Sequence, residues 1–123
     1  MKTRPPKPQP GRLLEMPSAY RVPPAQKPDW ITGEAERYWN HYAPILAACG
    51  HLDQVCESMF AVLCTTWARL VEVQAIIARE GYTIQTRNGP RAHPLFAEEM
   101  RTMRLFLSLS RAFYMTPASR ARK

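Results

Sequence analysis

The residues best suited to chemistry are the cations that end the chain. Residues 116–123 carry three basic side chains and no acid, namely Arg120, Arg122 and Lys123. Thr116 is a favourable helix N-cap, and Pro117 suits the first helical position, where its missing N–H costs no hydrogen bond. The segment therefore predicts a short helix that presents its cations to a polyanion.

No arrangement of residues indicates catalysis. A nucleotide-hydrolysing loop needs glycines and a lysine, but the sequence has no lysine between Lys27 and Lys123. Glu98 and Glu99 are adjacent, and neighbouring helical positions diverge by about 100°. These two acids therefore favour a role at the positive end of a helix over paired acid–base chemistry. We expect no enzymatic activity, no catalytic residue and no cofactor.

The histidines and cysteines do not form a metal-binding motif. Cys49 and His51 come nearest, but a zinc site needs two further ligands, and no histidine pair has helical spacing. We expect no metal. The three cysteines, Cys49, Cys56 and Cys64, are an odd number without C-x-x-C spacing, which is typical of buried, reduced thiols in a cytosolic protein.

The net charge of +7 is concentrated at the two ends of the chain. Residues 1–28 hold most of the prolines and six of the basic residues, which predicts an extended, disordered, basic arm. Basic arms flanking a mildly acidic body favour nucleic acid as a partner over solvated tails without one. The predicted DNA contacts are Arg120, Arg122, Lys123 and Arg111 near the C-terminus, and Lys2, Arg4, Lys7 and Arg12 in the arm.

Membrane insertion is not expected. The sequence has no run of 18 apolar residues, and its basic start is not followed by the apolar stretch of a signal peptide.

Three helices must position these charges. Thr32 predicts the start of the first helix, which should run to about Tyr42, break or kink because of Pro44, and continue as a short piece through Cys49 to a stop at Gly50. A second segment, 53–80, has no proline or glycine and stops at Gly81. It predicts a helix of about 42 Å.

The second helix has a broad apolar stripe that exceeds what one small chain is expected to cover. Part of the stripe therefore predicts an interface with a neighbouring subunit, and an ordinary intramolecular hairpin is the alternative. The predicted interface residues are Met59, Leu63, Trp67 and Leu70.

Residues 82–92 predict a loop or a small hairpin around Asn88-Gly89-Pro90, whose arginines, Arg87 and Arg91, are interpreted as solvated. His93-Pro94 predicts the third helix, with Pro94 in its first position. Its predicted apolar face comprises Leu95, Met100, Met103, Phe106, Leu107 and Phe113.

The predicted fold is all-α: a long antiparallel helical hairpin, preceded by a shorter kinked helix and a disordered N-terminal arm, in a ring-forming oligomer. The predicted regions are the arm at 1–28, a helical oligomerisation core at 29–115 and a basic tail at 116–123.

Several short motifs, in this order and spacing, resemble the small subunit of phage terminase over roughly residues 30–123. They are Trp39, Pro44, Leu46 and Gly50-His51-Leu52-Asp53 in and after the first helix, the long helix ending at Gly81, His93-Pro94-Leu95, and the Thr-Pro-x-x-Arg ending at Thr116, Pro117 and Arg120. Such proteins commonly have Gly-Leu before the Thr-Pro, whereas this chain has Tyr114-Met115. The third helix is therefore expected to run on or to bend differently here.

The resemblance implies a homo-oligomeric ring in the host cell cytoplasm that binds double-stranded viral DNA at the packaging start site. It also implies a large terminase subunit as partner, which receives the DNA and whose ATPase and nuclease are regulated. The alternative from the residues alone is a non-enzymatic helical scaffold or regulatory protein with basic tails.

Overall fold

The structure is a computed structural model that describes residues 22–121. It is mostly helical, with one small sheet. The elements in chain order are α1 (Gly33–Ala48), a 3-10 turn (Gln54–Cys56), α2 (Glu57–Glu80), β1 (Thr83–Thr86), β2 (Gly89–Ala92), α3 (Phe96–Ala112) and α4 (Pro117–Ala121).

Helix α1 begins after Thr32, as predicted, but it runs without a break through Pro44, so the predicted division into a helix to about Tyr42 and a short second piece is wrong. Pro44 and Asn40, whose carbonyl loses its helical partner, both lie on the exposed side of the helix. Water can therefore satisfy that carbonyl. Trp39 and Leu46, on either side of the proline in sequence, are both buried in one core, and their packing holds the helix together.

Helix α1 ends at the predicted glycine. Gly50 has a φ of 77°, its N–H donates to Ala47 O (3.0 Å), and the N–H of His51 donates to Leu46 O (2.8 Å). This pair of bonds is a Schellman motif, which satisfies carbonyls that the helix leaves unpaired.

Helix α2 has nearly the extent predicted. Asp53 caps the preceding 3-10 turn by accepting a hydrogen bond from Val55 N (2.9 Å), and the helix proper begins at Glu57. Gly81 ends it with a φ of 87°, a conformation in which a side chain would be strained.

Helices α2 and α3 are antiparallel, as predicted, because residue numbers fall along α3 as they rise along α2. The pairs that show this are Phe60 with Phe113, Trp67 with Phe106, and Glu80 with His93. Helix α1 packs on α2 as well, so α2 is the central helix.

The connection between α2 and α3 is a two-stranded antiparallel hairpin, so the all-α prediction is corrected here. Thr86 pairs with Gly89 across a two-residue turn. Helix α3 begins at Phe96 rather than at Pro94, because His93 Nδ1 accepts the N–H of Leu95 (3.0 Å) and holds a separate turn before the helix. The other ring nitrogen of His93 lies 2.5 Å from Glu80 Oε2, which joins this turn to the end of α2.

Tyr38 lies at the centre of an aromatic core between α1, α2 and α3. Its ring centroid is 4.5 to 6.4 Å from those of its neighbours, Tyr42, Phe60, Trp67 and Phe106. Its hydroxyl donates to Met115 Sδ (3.8 Å), so the segment after α3 is also anchored on the core.

The predicted apolar face of α3 is only partly buried. Phe113 is buried and Phe106 is half-buried, but Met100, Met103 and Leu107 are exposed. Helix α3 carries apolar side chains on two adjacent faces, and α2 covers only one of them. The exposed residues, with Phe96, follow the spacing of one helical stripe, which we call the α3 apolar stripe (Phe96, Met100, Met103, Leu107).

Residues 22–28 were predicted as part of the disordered arm, but they form an extended segment bound to the helical body. Pro23 O accepts the N–H of Gln54 (2.9 Å), and Gln26 N donates to Glu57 Oε2 (2.9 Å). These bonds lie at the start of α2, where unpaired groups need partners.

The stretch Gln54–Glu80 is long and apolar enough to span a membrane, with a mean hydropathy of 1.5. The central helix of a globular core meets the same criterion. Phe60, Leu63 and Ile77 are fully buried between the other helices, so burial favours the core interpretation.

Candidate nucleic-acid interface

The end of the chain from Met100 onwards contains six basic residues and no acid. Three of the arginines, Arg101, Arg104 and Arg111, lie on α3 at spacings of three and seven, which places them along one side of the helix. All three are exposed. They form a basic ridge beside the α3 apolar stripe, and Arg120 follows on α4.

Two of the three ridge arginines have no acidic partner among the described residues. Arg101 pairs with Glu98 (3.2 Å), which also binds Arg69 (3.1 Å). Within residues 22–121, Arg104, Arg111 and Arg120 form no ion pair. Unpaired guanidinium groups on one side of a molecule attract a polyanion.

Helix α3 does not run on at its C-terminus, because Tyr114 takes the position that glycine usually holds. Tyr114 N donates to Arg111 O (3.1 Å) and Met115 N to Ser110 O (2.9 Å), which is a second Schellman motif. Tyr114 has a φ of 57°, and no other non-glycine among the described residues has a positive φ. For a side chain this conformation costs about 1–2 kcal/mol.

The ring of Tyr114 packs against the ring of His51. It lies 4.7 Å, centroid to centroid, from the ring of His51, with 36° between the planes. His51 belongs to the turn that follows α1, so the contact joins the two helix ends that close with Schellman motifs. Tyr114 remains 38% exposed, and its ring therefore has surface available to a partner.

The predicted cap of the C-terminal helix is confirmed. Ser119 N donates to Thr116 Oγ1 (3.1 Å), Thr116 N donates to Ser119 Oγ (3.1 Å), and Pro117 is the first residue of α4. This reciprocal pair is a capping box in which serine takes the usual place of glutamate. Arg120 therefore has an ordered base.

Two of the predicted DNA contacts, Arg111 near the end of α3 and Arg120 on α4, lie on either side of the turn that joins these two helices. The other predicted contacts, Lys2, Arg4, Lys7, Arg12, Arg122 and Lys123, lie outside the described residues. Sequence reasoning missed Arg104. Its helical spacing to Arg111, together with the absence of acids after Glu99, would have identified it.

The four predicted interface residues are placed differently from one another. Met59 is 52% exposed and Trp67 is half-buried, but Leu63 and Leu70 lie in the core of the single chain. The surface of the last two is therefore taken by the chain's own helices. The α3 apolar stripe is a further set of exposed apolar side chains, on a different helix.

The thiols lie in three environments, which differs from the expectation that all are buried. Cys49 is exposed, Cys56 is half-buried and Cys64 is buried, and all three are free. Burial raises the pKa of the Cys64 thiol to about 12, and desolvation likewise raises the pKa of the Tyr38 hydroxyl. Both groups are therefore protonated at neutral pH.

Cys49 and His51 gain no further ligands from the fold. In the part of the chain that the structure describes, no three His, Cys, Asp or Glu side chains are grouped so that they could hold a metal ion.

Comparison with known proteins gives one family. The family model described as "Phage terminase, small subunit" matches residues 35–123. No curated protein and no solved structure matches. The matched range extends from the first turns of α1 to the end of the chain, and it includes the basic ridge, Tyr114 and Arg120.

Proposed function

This chain belongs to the phage terminase small-subunit family, and from that premise we propose that it binds double-stranded viral DNA at the packaging start site. It delivers the DNA to the large terminase subunit in the cytoplasm of the infected cell and regulates the ATPase and nuclease of that subunit. It has no catalytic site of its own. The observation that carries the DNA-binding part is a set of exposed arginines without an acidic partner among the described residues, Arg104 and Arg111 on α3 with Arg120 on α4.

The ridge is suited to the DNA backbone rather than to the bases. Guanidinium groups bind phosphate oxygens with bidentate geometry, and Arg104 and Arg111 have no acid competing for them. Contacts of this kind supply affinity and register. Each neutralised phosphate contributes about −0.9 to the slope of log affinity against log salt concentration.

Fluorescence anisotropy with duplex DNA at several salt concentrations tests this proposal. We expect Arg104→Gln with Arg111→Gln to weaken binding about tenfold or more and to reduce the salt slope by about 2. The control pair is Arg37→Gln with Arg79→Gln, which removes the same charge from α1 and α2. Equal losses in both pairs would mean that net charge alone attracts DNA, and a flat salt response in the wild type would reject DNA binding.

We further propose that the α3 apolar stripe is an interface between subunits of a homo-oligomer. Phe96, Met100, Met103 and Leu107 are each between 37% and 48% exposed. Four large apolar side chains in one stripe are unusual on a surface that faces only water, and in the described chain no helix covers them. On α2, Met59 is exposed and stays a predicted interface residue.

The mass of the protein in solution tests the interface. We expect Leu107→Glu to lower the oligomeric mass measured by light scattering, because a carboxylate would be desolvated in the interface. Leu105→Glu is the matched control, since Leu105 is equally exposed on the same helix but lies on another side. A wild type that is monomeric at micromolar concentration would favour the alternative, a helical regulatory protein with basic tails.

Regulation of the large subunit is tested separately. We expect the wild type with DNA to change the ATPase rate of the large subunit, and the Arg104/Arg111 double variant to lose the DNA-dependent part of that change. An unchanged ATPase rate with the wild type would argue against the adaptor role.

A further inference from the structure

Tyr114 is held in a conformation that a glycine would adopt without strain. Strained non-glycine residues persist where the side chain is needed and cluster at binding sites. The ring contact with His51 accounts for part of the side chain, but the residue as a whole remains 38% exposed. Its exposed surface is therefore available to a ligand.

The surface beside Tyr114 has the chemistry of an anion site. A depression at the corner between α3 and α4 is lined by Arg111, Tyr114, Thr116, Ala118 and Ser119. Its polar groups are one guanidinium and three hydroxyls, with no carboxylate. Arg111 has no acidic partner in residues 22–121, so its charge is available to a ligand.

We propose that this depression, which we call the Tyr114 corner, seats a phosphate of the DNA backbone. The Arg111 guanidinium binds two phosphate oxygens, and the Tyr114 hydroxyl donates a hydrogen bond to the same phosphate. The strained backbone of Tyr114 turns the ring outward, while Phe113 and Met115 on either side of it face the core. This inference rests on the proposed function, because it names the residues that position the DNA.

A regularly charged polymer fits this arrangement better than an isolated anion. Arg104 lies seven residues before Arg111 on the same side of α3, which is about 10 Å along the helix axis. Each DNA strand carries one phosphate for about every 3.4 Å of rise along the duplex axis, so two long arginine side chains at this separation can contact separate phosphates. The two arginines can therefore reach two phosphates of one strand, with Tyr114 beside the second.

Three variants of the full-length protein separate the role of Tyr114 in binding from its role in folding. Tyr114→Gly relieves the backbone and removes the ring, Tyr114→Phe removes only the hydroxyl, and Arg111→Gln removes the charge. Arg37→Gln is the charge-matched control, because Arg37 is exposed on α1 and does not line the corner. The measurements are the melting temperature and the dissociation constant for duplex DNA at several salt concentrations.

We expect Tyr114→Gly to melt within a few degrees of the wild type and to bind DNA about tenfold more weakly. Tyr114→Phe should lose about threefold to tenfold, as for one hydrogen bond to a charged group. Arg111→Gln should lose about tenfold and reduce the salt slope by about 0.9. Arg37→Gln should bind within about twofold of the wild type and keep the salt slope.

The outcomes distinguish failure of the corner from failure of the proposed function. If the wild type does not bind DNA, the proposed function is wrong. If the wild type binds and both Tyr114→Phe and Arg111→Gln bind equally well, the Tyr114 corner is wrong and the function stands. If Arg111→Gln weakens binding of polyglutamate as much as binding of DNA, the corner is a site for an acidic protein segment. A Tyr114→Gly variant that unfolds leaves the other two variants to decide.

Discussion

Cys49 and Cys64 show, at the scale of single residues, how burial decides the reactivity of a thiol. Cys64 is inside the core, and its pKa is raised to about 12, whereas Cys49 lies at the exposed end of α1. The thiolate is the reactive form. With a pKa of about 12, a thiol is ionised at pH 8 in only about one molecule in ten thousand.

We therefore expect the native protein at pH 8 to react rapidly with a thiol reagent at Cys49 and not at Cys64. Absorbance after addition of Ellman's reagent measures this, with and without denaturant. In a Cys56→Ser background, which removes the half-buried thiol, Cys49→Ser should abolish the fast phase and leave the Cys64 reaction, which appears only on unfolding. Rapid labelling of Cys64 in the native Cys49→Ser variant would contradict its burial.

At the scale of one helix, replacing Pro44 measures how much a single backbone hydrogen bond contributes to the free energy of unfolding. The proline interrupts the backbone ladder of α1 on its exposed side. Pro44→Ala restores an N–H that can donate to Asn40 O, and proline costs up to about 3 kcal/mol in a helix interior. We expect this change to raise the free energy of unfolding by about 1–3 kcal/mol, measured by urea denaturation.

The control for this prediction is Pro24→Ala, in the extended segment before α1, where no helical bond is gained. It should leave stability unchanged or slightly lower it, because proline restricts the unfolded chain. A loss of stability in Pro44→Ala would mean that the proline contributes more to packing or to restricting the unfolded chain than the missing hydrogen bond costs.

Whether the sequence predicts a structural element depends on how far apart in the chain the interacting residues are. The caps at Gly50, Gly81 and Thr116 are local chemistry, and the sequence predicted all three. The continuity of α1 depends on Trp39 and Leu46 sharing a core, which local rules do not describe. The face that α3 buries was predicted poorly because two adjacent faces are apolar and only the packing of α2 chooses between them.

In the candidate site, too, local features were predicted from the sequence and long-range contacts were not. Arg111 and Arg120 were predicted from composition and caps, whereas the pairing of Tyr114 with His51 joins residues 63 positions apart. No sequence pattern indicates that contact. The absence of glycine at position 114 was visible, but the left-handed conformation that Tyr114 adopts became apparent only in the structure.

At the scale of the whole molecule, the described chain begins and ends at the same end of the helical bundle. Pro23 is bonded to Gln54 at the start of α2, and Tyr114, just before α4, contacts His51 in the turn before α2. The β-hairpin lies at the other end of α2, about 36 Å away.

We expect removal of residues 1–21 to reduce DNA affinity less than Arg120→Ala with Arg122→Ala, because Arg120 has an ordered base on α4. The deletion stops at residue 21, since residues 23 and 26 are bonded to the body. Anisotropy with duplex DNA ranks the two variants at one salt concentration. The reverse ranking would assign the main DNA contacts to the N-terminal arm.

The first and last described residues, 22 and 121, lie at the end of the bundle that carries the proposed DNA surface. A bulky label attached at either position is therefore expected to compete with DNA. The hairpin turn at Arg87-Asn88 is exposed and lies at the far end, which makes it the better place for an inserted label. Because residues 22 and 121 lie at one end of the bundle, a linker joining them, with new termini opened in that turn, should yield a circular permutant of residues 22–121 that folds.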